Sequence, residues 1–418
     1  MSEPSLVDVE THLGDVLAAV RPLAGVRLTL EAALGRVLAA DVVATEPVPA
    51  FDNSSMDGYA VRVADVGAAH ADAPVALTVV AEVAAGSEID PPLGAGEAVR
   101  IMTGAPVPSD ADAIVPVEDT VEHREGGAWV DPGARVGVAA SPAAGAFIRR
   151  AGSDLSPGAI VLEAGTRMSA YRLGAAAAAG VADVEARPAP RVALVATGEE
   201  LVAPGEPTER GQIHDSNSVL LRGVVASAGA EVVAAIRVGD DATALLTALD
   251  RLLAETEPDV VIFTGGVSVG AHDVVKAALA PGGRVAFRRV RMQPGKPQAF
   301  GVLDSGALCF GLPGNPVSVA VSFEVFVRPA LQALQGLEPV GAPRMEATTA
   351  SGWRTPPGRR QYMPVAFEPD GHIRPATAGG SGSHLAGGLA RAEGFAIVPA
   401  EVDEVRAGDR LPVMLVAS

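Results

Sequence analysis

The run Pro49-Ala50-Phe51-Asp52-Asn53-Ser54-Ser55-Met56-Asp57-Gly58-Tyr59-Ala60-Val61-Arg62 gathers two carboxylates, an amide, two hydroxyls and a Gly-Tyr turn into one short segment. It is too polar for a core strand and too rich in turn formers for a random linker. Asp, Asn, Ser and Gly bond their own backbone or accept left-handed conformations, so they hold a loop in one shape. A shaped loop with free carboxylates is where chemistry tends to sit. The same residues also suit an Asx-rich turn leading into a strand from Tyr59 to Val63.

A second group of loops lies far downstream: Thr197-Gly198-Glu199-Glu200-Leu201, Thr264-Gly265-Gly266-Val267-Ser268-Val269-Gly270, Gln293-Pro294-Gly295-Lys296-Pro297 and Gly311-Leu312-Pro313-Gly314-Asn315-Pro316-Val317-Ser318. Glycine lets backbone N–H groups approach an anion closely. Asn315 as N-cap and Pro316 at the first helical position would open a helix over 317–327, whose N-terminus suits a phosphate or oxyanion. Arg288, Arg289, Arg291 and Lys296 make a local basic island, which also suits a solvated edge strand. Asp57, Asp154, Glu200, Asp240 and Asp273 all fall in turn-rich loops, and carboxylates with phosphate oxygens are what Mg²⁺ selects. Asp240 or Asp241, and Asp273, would equally serve as helix caps. Thr103, between a strand and a Pro turn, suits either a site or an ST-turn.

The elements that must position these residues follow from periodicity. Leu6, Val9, Leu13, Val16, Leu17 and Val20 predict one helix, and Thr29 caps a second through Leu30, Leu34, Val37 and Leu38. Short alternating runs from 45 to 144 predict a β-rich region, and an Ala-rich helix is expected near 169–179. From Arg191 the pattern becomes strand (192–195), helix (216–228), strand (232–238), helix (242–254), strand (260–263). That alternation predicts a parallel α/β sheet, with ligands at the carboxyl ends of its strands. After Leu334 short strands return.

At 418 residues, several domains are expected. Aromatic residues are only 4 %, so Ala, Val and Leu must build the cores. The net charge of −18 disfavours nucleic acid and anionic membranes as partners. The single cysteine, Cys309, excludes an internal disulfide, fits a reducing cytoplasm and reads as a core thiol. No apolar run of about 20 residues or leader-like segment is evident, so a membrane anchor is not expected. His214 and His272 lack metal-ligand spacing, and there is no Walker loop or Gly-x-Ser-x-Gly elbow.

The pieces PAFDNSSMDGYAVR, RIMTGAPVP, AGSDL, VATGEEL, HDSN, FTGGVSVGAHD, QPGKP, GLPGNPVS and GSGSHL, in this order, resemble the molybdopterin molybdenumtransferases, the bacterial MoeA and gephyrin E-domain family. The resemblance implies an α/β plus β fold in an elongated four-domain subunit. Residues 1–44 with 146–184 would form a discontinuous dimerisation domain and 45–145 a small β domain. A MogA-like parallel α/β pterin-binding domain would span 185–335, and a C-terminal β domain 336–418. It implies a homodimer with the active cleft shared between subunits and transient contact with the adenylyltransferase. The implied reaction inserts molybdenum from molybdate into adenylyl-molybdopterin and releases AMP, with Mg²⁺.

Carried over by motif, Asp57, Thr103, Asp154, Glu200, Asp240, Asp273 and Lys296 would be catalytic, with Asp57, Glu200, Asp240 and Asp273 on the metal. Gly265, Gly266, Ser268, Gly270, Pro297, Pro313, Gly314, Asn315, Pro316, Ser318, Arg359 and Ser383 would bind pterin and molybdate. Two positions depart from the pattern. Gln293 and Pro364 stand where many members carry Lys and Arg, and Arg289, Arg291 or Arg360 would have to compensate. A catalytically reduced pterin-binding or scaffold paralogue is the alternative reading, and adenylyl transfer to molybdopterin a third.

Overall fold

A computed structural model describes residues 6–127, 129–267, 273–377 and 381–416. The chain folds as two compact units. One takes in residues up to Val26, Gly35–Ala39 and everything from Glu185; the other comprises Arg27–Leu34 and Ala40–Val184.

The larger unit is built on a six-stranded sheet in the spatial order Glu231–Val238, Arg191–Thr197, Val260–Thr264, Leu308–Leu312, Pro297–Val302, Val285–Arg289. The first four are parallel, as their continuous apolar runs and intervening helices predict. Pro297–Val302 runs antiparallel to both neighbours, so the sheet is mixed rather than wholly parallel. The short link from Val302 to Leu308 cannot make the crossover that a parallel pair requires, so the chain turns back there as a hairpin.

Helices Ser216–Ser227 and Ala242–Thr256 begin at Asp215 and Asp241, whose carboxylates accept from the N–H groups of Ser218 and Ala244. The helix from Pro316 continues to Leu334 with a wide π turn over Phe323–Val327. Pro329 has no N–H to offer the preceding turn, and the helix widens just before it. This 19-residue segment is long and apolar enough to cross a membrane, yet 83 % of it is buried inside the fold as the core helix.

A second sheet of the same unit is ordered Met292–Gln293, Arg360–Phe367, Gly394–Val398, Arg410–Leu415, Arg344–Thr348. Its Tyr362, Phe395, Ile397 and Met414 share one apolar core with the long helix and with Leu194, Ile262 and Phe310 of the first sheet. Cys309 lies in the core on the other face of that first sheet, where burial pushes its thiol up to about 12.

The expected helix at the start is present as Val9–Ala19. The second is not: Val26–Thr29 is a strand, a turn follows, and Val37–Leu38 is extended again. Thr29 Oγ1 does accept from the Ala32 N–H, but Gly35 adopts φ 76° and ends the turn before a helix propagates. The first helix packs His12 edge-on against Phe326 at 4.7 Å. Burial, and secondarily Arg288, lowers His12 to about 4 from 6.5, while Asp15 opposes them. The unfolded chain therefore binds this proton below about pH 6.5 and the folded one only near 4. Stability is full above pH 6.5 and is lost as pH falls toward 4, by roughly 3 kcal/mol. Chemical unfolding between pH 7 and 4 should show this loss, and His12→Leu should flatten it.

The smaller unit holds a five-stranded sheet, Ala113–Pro116, Gly58–Val61, Glu97–Ile101, Val75–Val83, Arg135–Val138, and the helix Ala170–Ala178 capped by Ser169.

Candidate functional site

In the smaller unit the polar loop is shaped by its own side chains. Asp52 accepts from the Ala151 N–H at 2.8 Å and pairs with Arg150. Asn53 donates to the Phe51 carbonyl, and Ser54 Oγ to that of Met56. Gly58 lies so close to strand Ala113–Pro116 that a Cβ would meet the Val115 carbonyl at 2.0 Å. Asp57 is thereby left exposed at the strand entrance. Its Oδ1 accepts from the Thr103 N–H at 2.7 Å and the Thr103 hydroxyl at 2.8 Å. The N–H bond first, then the hydroxyl bond, holds the carboxyl below the usual aspartate range. Asp57 and Thr103 are thus brought together. Asp154 is exposed in the turn whose N–H groups bond the Val48 carbonyl.

In the larger unit the loops converge at the carboxyl edge of the first sheet. A cavity of about 310 Å³ there is lined by Gly266, Gln293, Lys296, Pro297, Pro313, Gly314, Asn315, Ser318 and Ser383, among others. The antiparallel Pro297–Val302 is what delivers Lys296 to this edge, since its amino end lies beside the carboxyl ends of its neighbours. Lys296 forms no ion pair among the described residues. Gly265 (φ 86°) and Gly266 (φ 63°) take left-handed conformations, and a Cβ on Gly266 would crowd Val275 at 2.9 Å. Pro316 opens the helix, as expected. Asn315 sits at the N-cap position, but its amide donates to Ser383 Oγ at 2.9 Å instead of capping, and the Val317 N–H bonds the Ser383 carbonyl. The expected open helix terminus is therefore partly closed by the Ser383 segment. A larger cleft, about 560 Å³, opens at the opposite edge of the sheet near Asp259 and Leu308, and none of the predicted residues lines it.

The carboxylates Glu200 and Asp240 are exposed just beyond strands Arg191–Thr197 and Glu231–Val238. Asp241, not Asp240, caps the following helix, which leaves Asp240 without a structural duty there. Asp273 precedes Val274–Leu279 without a capping bond, and its Oδ2 is buried with no hydrogen-bond partner among the described residues. Among the described residues, no three His, Cys, Asp or Glu side chains converge on a metal position. An oxygen donor set with one unsatisfied carboxylate oxygen fits a Mg²⁺ that keeps waters and substrate phosphates as its other ligands. Ser268, Gly270 and His272 lie outside the described residues.

Two arginines of the basic island, Arg288 and Arg291, are already paired, whereas Lys296 has no ion pair among the described residues. Helix Val9–Ala19 and the residue before it bring the acids: Asp8 pairs with Arg291 at 2.9 Å, Asp15 with Arg288 and Glu10 with Arg360. The Val7 backbone is bonded on both sides, to Arg289 and Arg291. Of Arg289, Arg291 and Arg360, the arginines expected to compensate for Gln293 and Pro364, Arg291 and Arg360 are thus engaged by Asp8 and Glu10 in this arrangement. Arg359 does not line the cavity.

Three amides given no role from the sequence, Asn217 of the HDSN piece among them, hold these walls. Asn217 Nδ2 donates to the Gly314 carbonyl at 2.6 Å. Gln298 Nε2 donates to the Gly295 carbonyl and to Ser322 Oγ, both at 2.7 Å. Gln361 Nε2 donates to Ser381 Oγ at 2.9 Å. An amide inside an otherwise apolar strand or at a helix start is the signal that could have found them.

Comparison with known proteins agrees along the whole chain. Residues 7–180 match the MoeA N-terminal region (domain I and II), 193–333 a probable molybdopterin binding domain, and 346–416 the MoeA C-terminal region (domain IV). The chain is 41 % identical to molybdopterin molybdenumtransferase 2 of Mycobacterium tuberculosis, over 97 % of this chain and 98 % of that protein. It is 33 % identical to molybdopterin molybdenumtransferase of Haemophilus influenzae, over 92 % of each. The crystal structure of the molybdopterin biosynthesis MoeA protein from Pyrococcus horikosii superposes with a TM-score of 0.83 at 30 % identity, covering 98 % of this chain and 99 % of that one.

Proposed function

The chain belongs to the molybdopterin molybdenumtransferase family, with the multidomain MoeA fold, and on that premise we propose that it joins molybdate to adenylylated molybdopterin and releases AMP. It is a transferase of molybdenum cofactor biosynthesis. The observation that best supports the finer reading is the cavity at the carboxyl edge, where Lys296 stands, without an ion pair among the described residues, beside Ser318 and Ser383. A tetrahedral dianion is well matched by one ammonium and two hydroxyls in a site that is already shaped.

Lys296, Ser318 and Ser383 orient molybdate. The Gly265-Gly266 turn and the Pro313-Gly314 loop provide backbone against which the pterin and its phosphates lie. Asp273 would hold Mg²⁺ with waters and substrate phosphates as its other ligands, Glu200 and Asp240 adding negative charge in the loops beyond their strands, and the ion would supply charge neutralisation on the phosphoanhydride. Asp57, fixed by Thr103, contributes its ionised carboxylate to the same chemistry. Catalysis is then positioning and charge neutralisation, with no covalent enzyme intermediate. A homodimer in the cytoplasm, with transient contact to the adenylyltransferase, belongs to the same proposal.

AMP release from adenylyl-molybdopterin, followed with and without molybdate and Mg²⁺, tests it. Release that requires both is the expected result. Tight binding of the adenylylated pterin with no AMP release at any molybdate concentration would instead establish a pterin-binding scaffold.

A further inference from the structure

Resting on the molybdate-insertion reading, we propose that Gln361 is a positioning residue that ties two walls of the cavity together, and that the Trp353 indole reports when the cavity is filled. Gln361 is 2 % exposed and lies in the strand Arg360–Phe367. Its backbone stands opposite Gln293 in parallel register, and Gln293 lines the cavity. Its side chain is used at both ends: Nε2 donates to Ser381 Oγ at 2.9 Å, and Oε1 accepts from Trp353 Nε1 at 2.9 Å.

Ser381 is two residues ahead of Ser383, which also lines the cavity and is itself gripped by Asn315. One residue therefore carries a continuous path from the Gln293-Lys296 loop, through its own amide, to the Ser383 segment and the start of the core helix. Ser381 is itself 9 % exposed. An apolar side chain at 361 would leave the indole N–H and the Ser381 hydroxyl without their partner in a poorly hydrated place, so the segment would shift to find water. The hydroxyl of Ser383 would move with it, away from the Lys296 ammonium. Displacements of about 1 Å at a binding wall can cost up to about 10²-fold in rate or affinity. In the opposite direction, an anion that draws Ser383 and Lys296 together pulls on the Ser381–Gln361–Trp353 chain and alters the indole's hydrogen bond.

The test uses the full chain with Trp129→Phe, which leaves Trp353 as the only tryptophan. Molybdate alone should change its emission with saturation. Gln361→Leu should abolish that change and raise KM for molybdate about tenfold, while AMP release at saturating molybdate stays within about twofold of the parent. Gln361→Glu, which keeps the acceptor for Trp353 while the Ser381 hydroxyl turns to donate, should recover part of the loss. Ser381→Ala removes the same link without touching the strand and should raise KM likewise, should the Leu variant fold poorly. If Gln361→Leu or, in its place, Ser381→Ala retains the parental KM in an enzyme that turns over, the inference is overturned and the function stands. If the parent itself shows no molybdate-dependent AMP release, both fall.

Discussion

Lys296→Ala is expected to remove almost all molybdate-dependent turnover while leaving the protein folded. Lys296 lines the cavity and has no ion pair among the described residues, so its removal breaks no salt bridge there. Its backbone remains in place, because the Lys296 carbonyl accepts from the Val290 N–H at 2.7 Å whatever the side chain. Three nearby arginines, Arg291, Arg288 and Arg360, are already paired with Asp8, Asp15 and Glu10. Removing one preorganised charge-stabilising group costs about 10²–10³ in rate. AMP release measured against molybdate concentration should show that loss, with an unchanged thermal midpoint. Turnover near the parental rate would withdraw Lys296 from the site.

The second large effect is expected at Asp57. Asp57→Asn keeps the oxygen that accepts from the Thr103 N–H and hydroxyl, so the loop should persist, but the negative charge is gone. An exposed substitution of this kind changes stability by about 0.5 kcal/mol or less. AMP release should fall by about 10²-fold or more. Thr103→Val, which removes only the hydroxyl bond, should cost far less, because the N–H bond is the stronger influence on the carboxyl. Equal losses in both variants would mean that the loop's shape, not the Asp57 charge, is what matters.

Much of this was legible in the sequence because local rules and tertiary demands agreed. Asp215, Asp241 and Ser169 mark helix starts and cap them, and the apolar runs at 192–195 and 260–263 became parallel strands. Reading failed where tertiary partners decided. Thr29 makes its capping bond, yet the left-handed Gly35 stops the helix. No strand is read from the sequence at 297–302, and the short hairpin to Leu308 sets the direction of the one that forms there. Arg288, Arg291 and Arg360 advertise an anion site, but their acids lie 273, 283 and 350 positions earlier, beyond any local window. Asn315 looks like a cap and is instead drawn to Ser383, 68 positions on. The buried amides Gln298 and Gln361 carry no motif signal at all; what they do depends on Ser322 and Ser381.

The acidic first helix has one further consequence, for handling the protein. Residues 7–15 invite trimming by their position, yet they are stitched by backbone bonds to Arg289 and Arg291 and by charge to both sheets of the larger unit. Trimming them would not merely shorten the chain. It would uncover three guanidinium groups at one edge of a strongly acidic protein, inviting its own surface, or any passing polyanion, to take the place the helix had held.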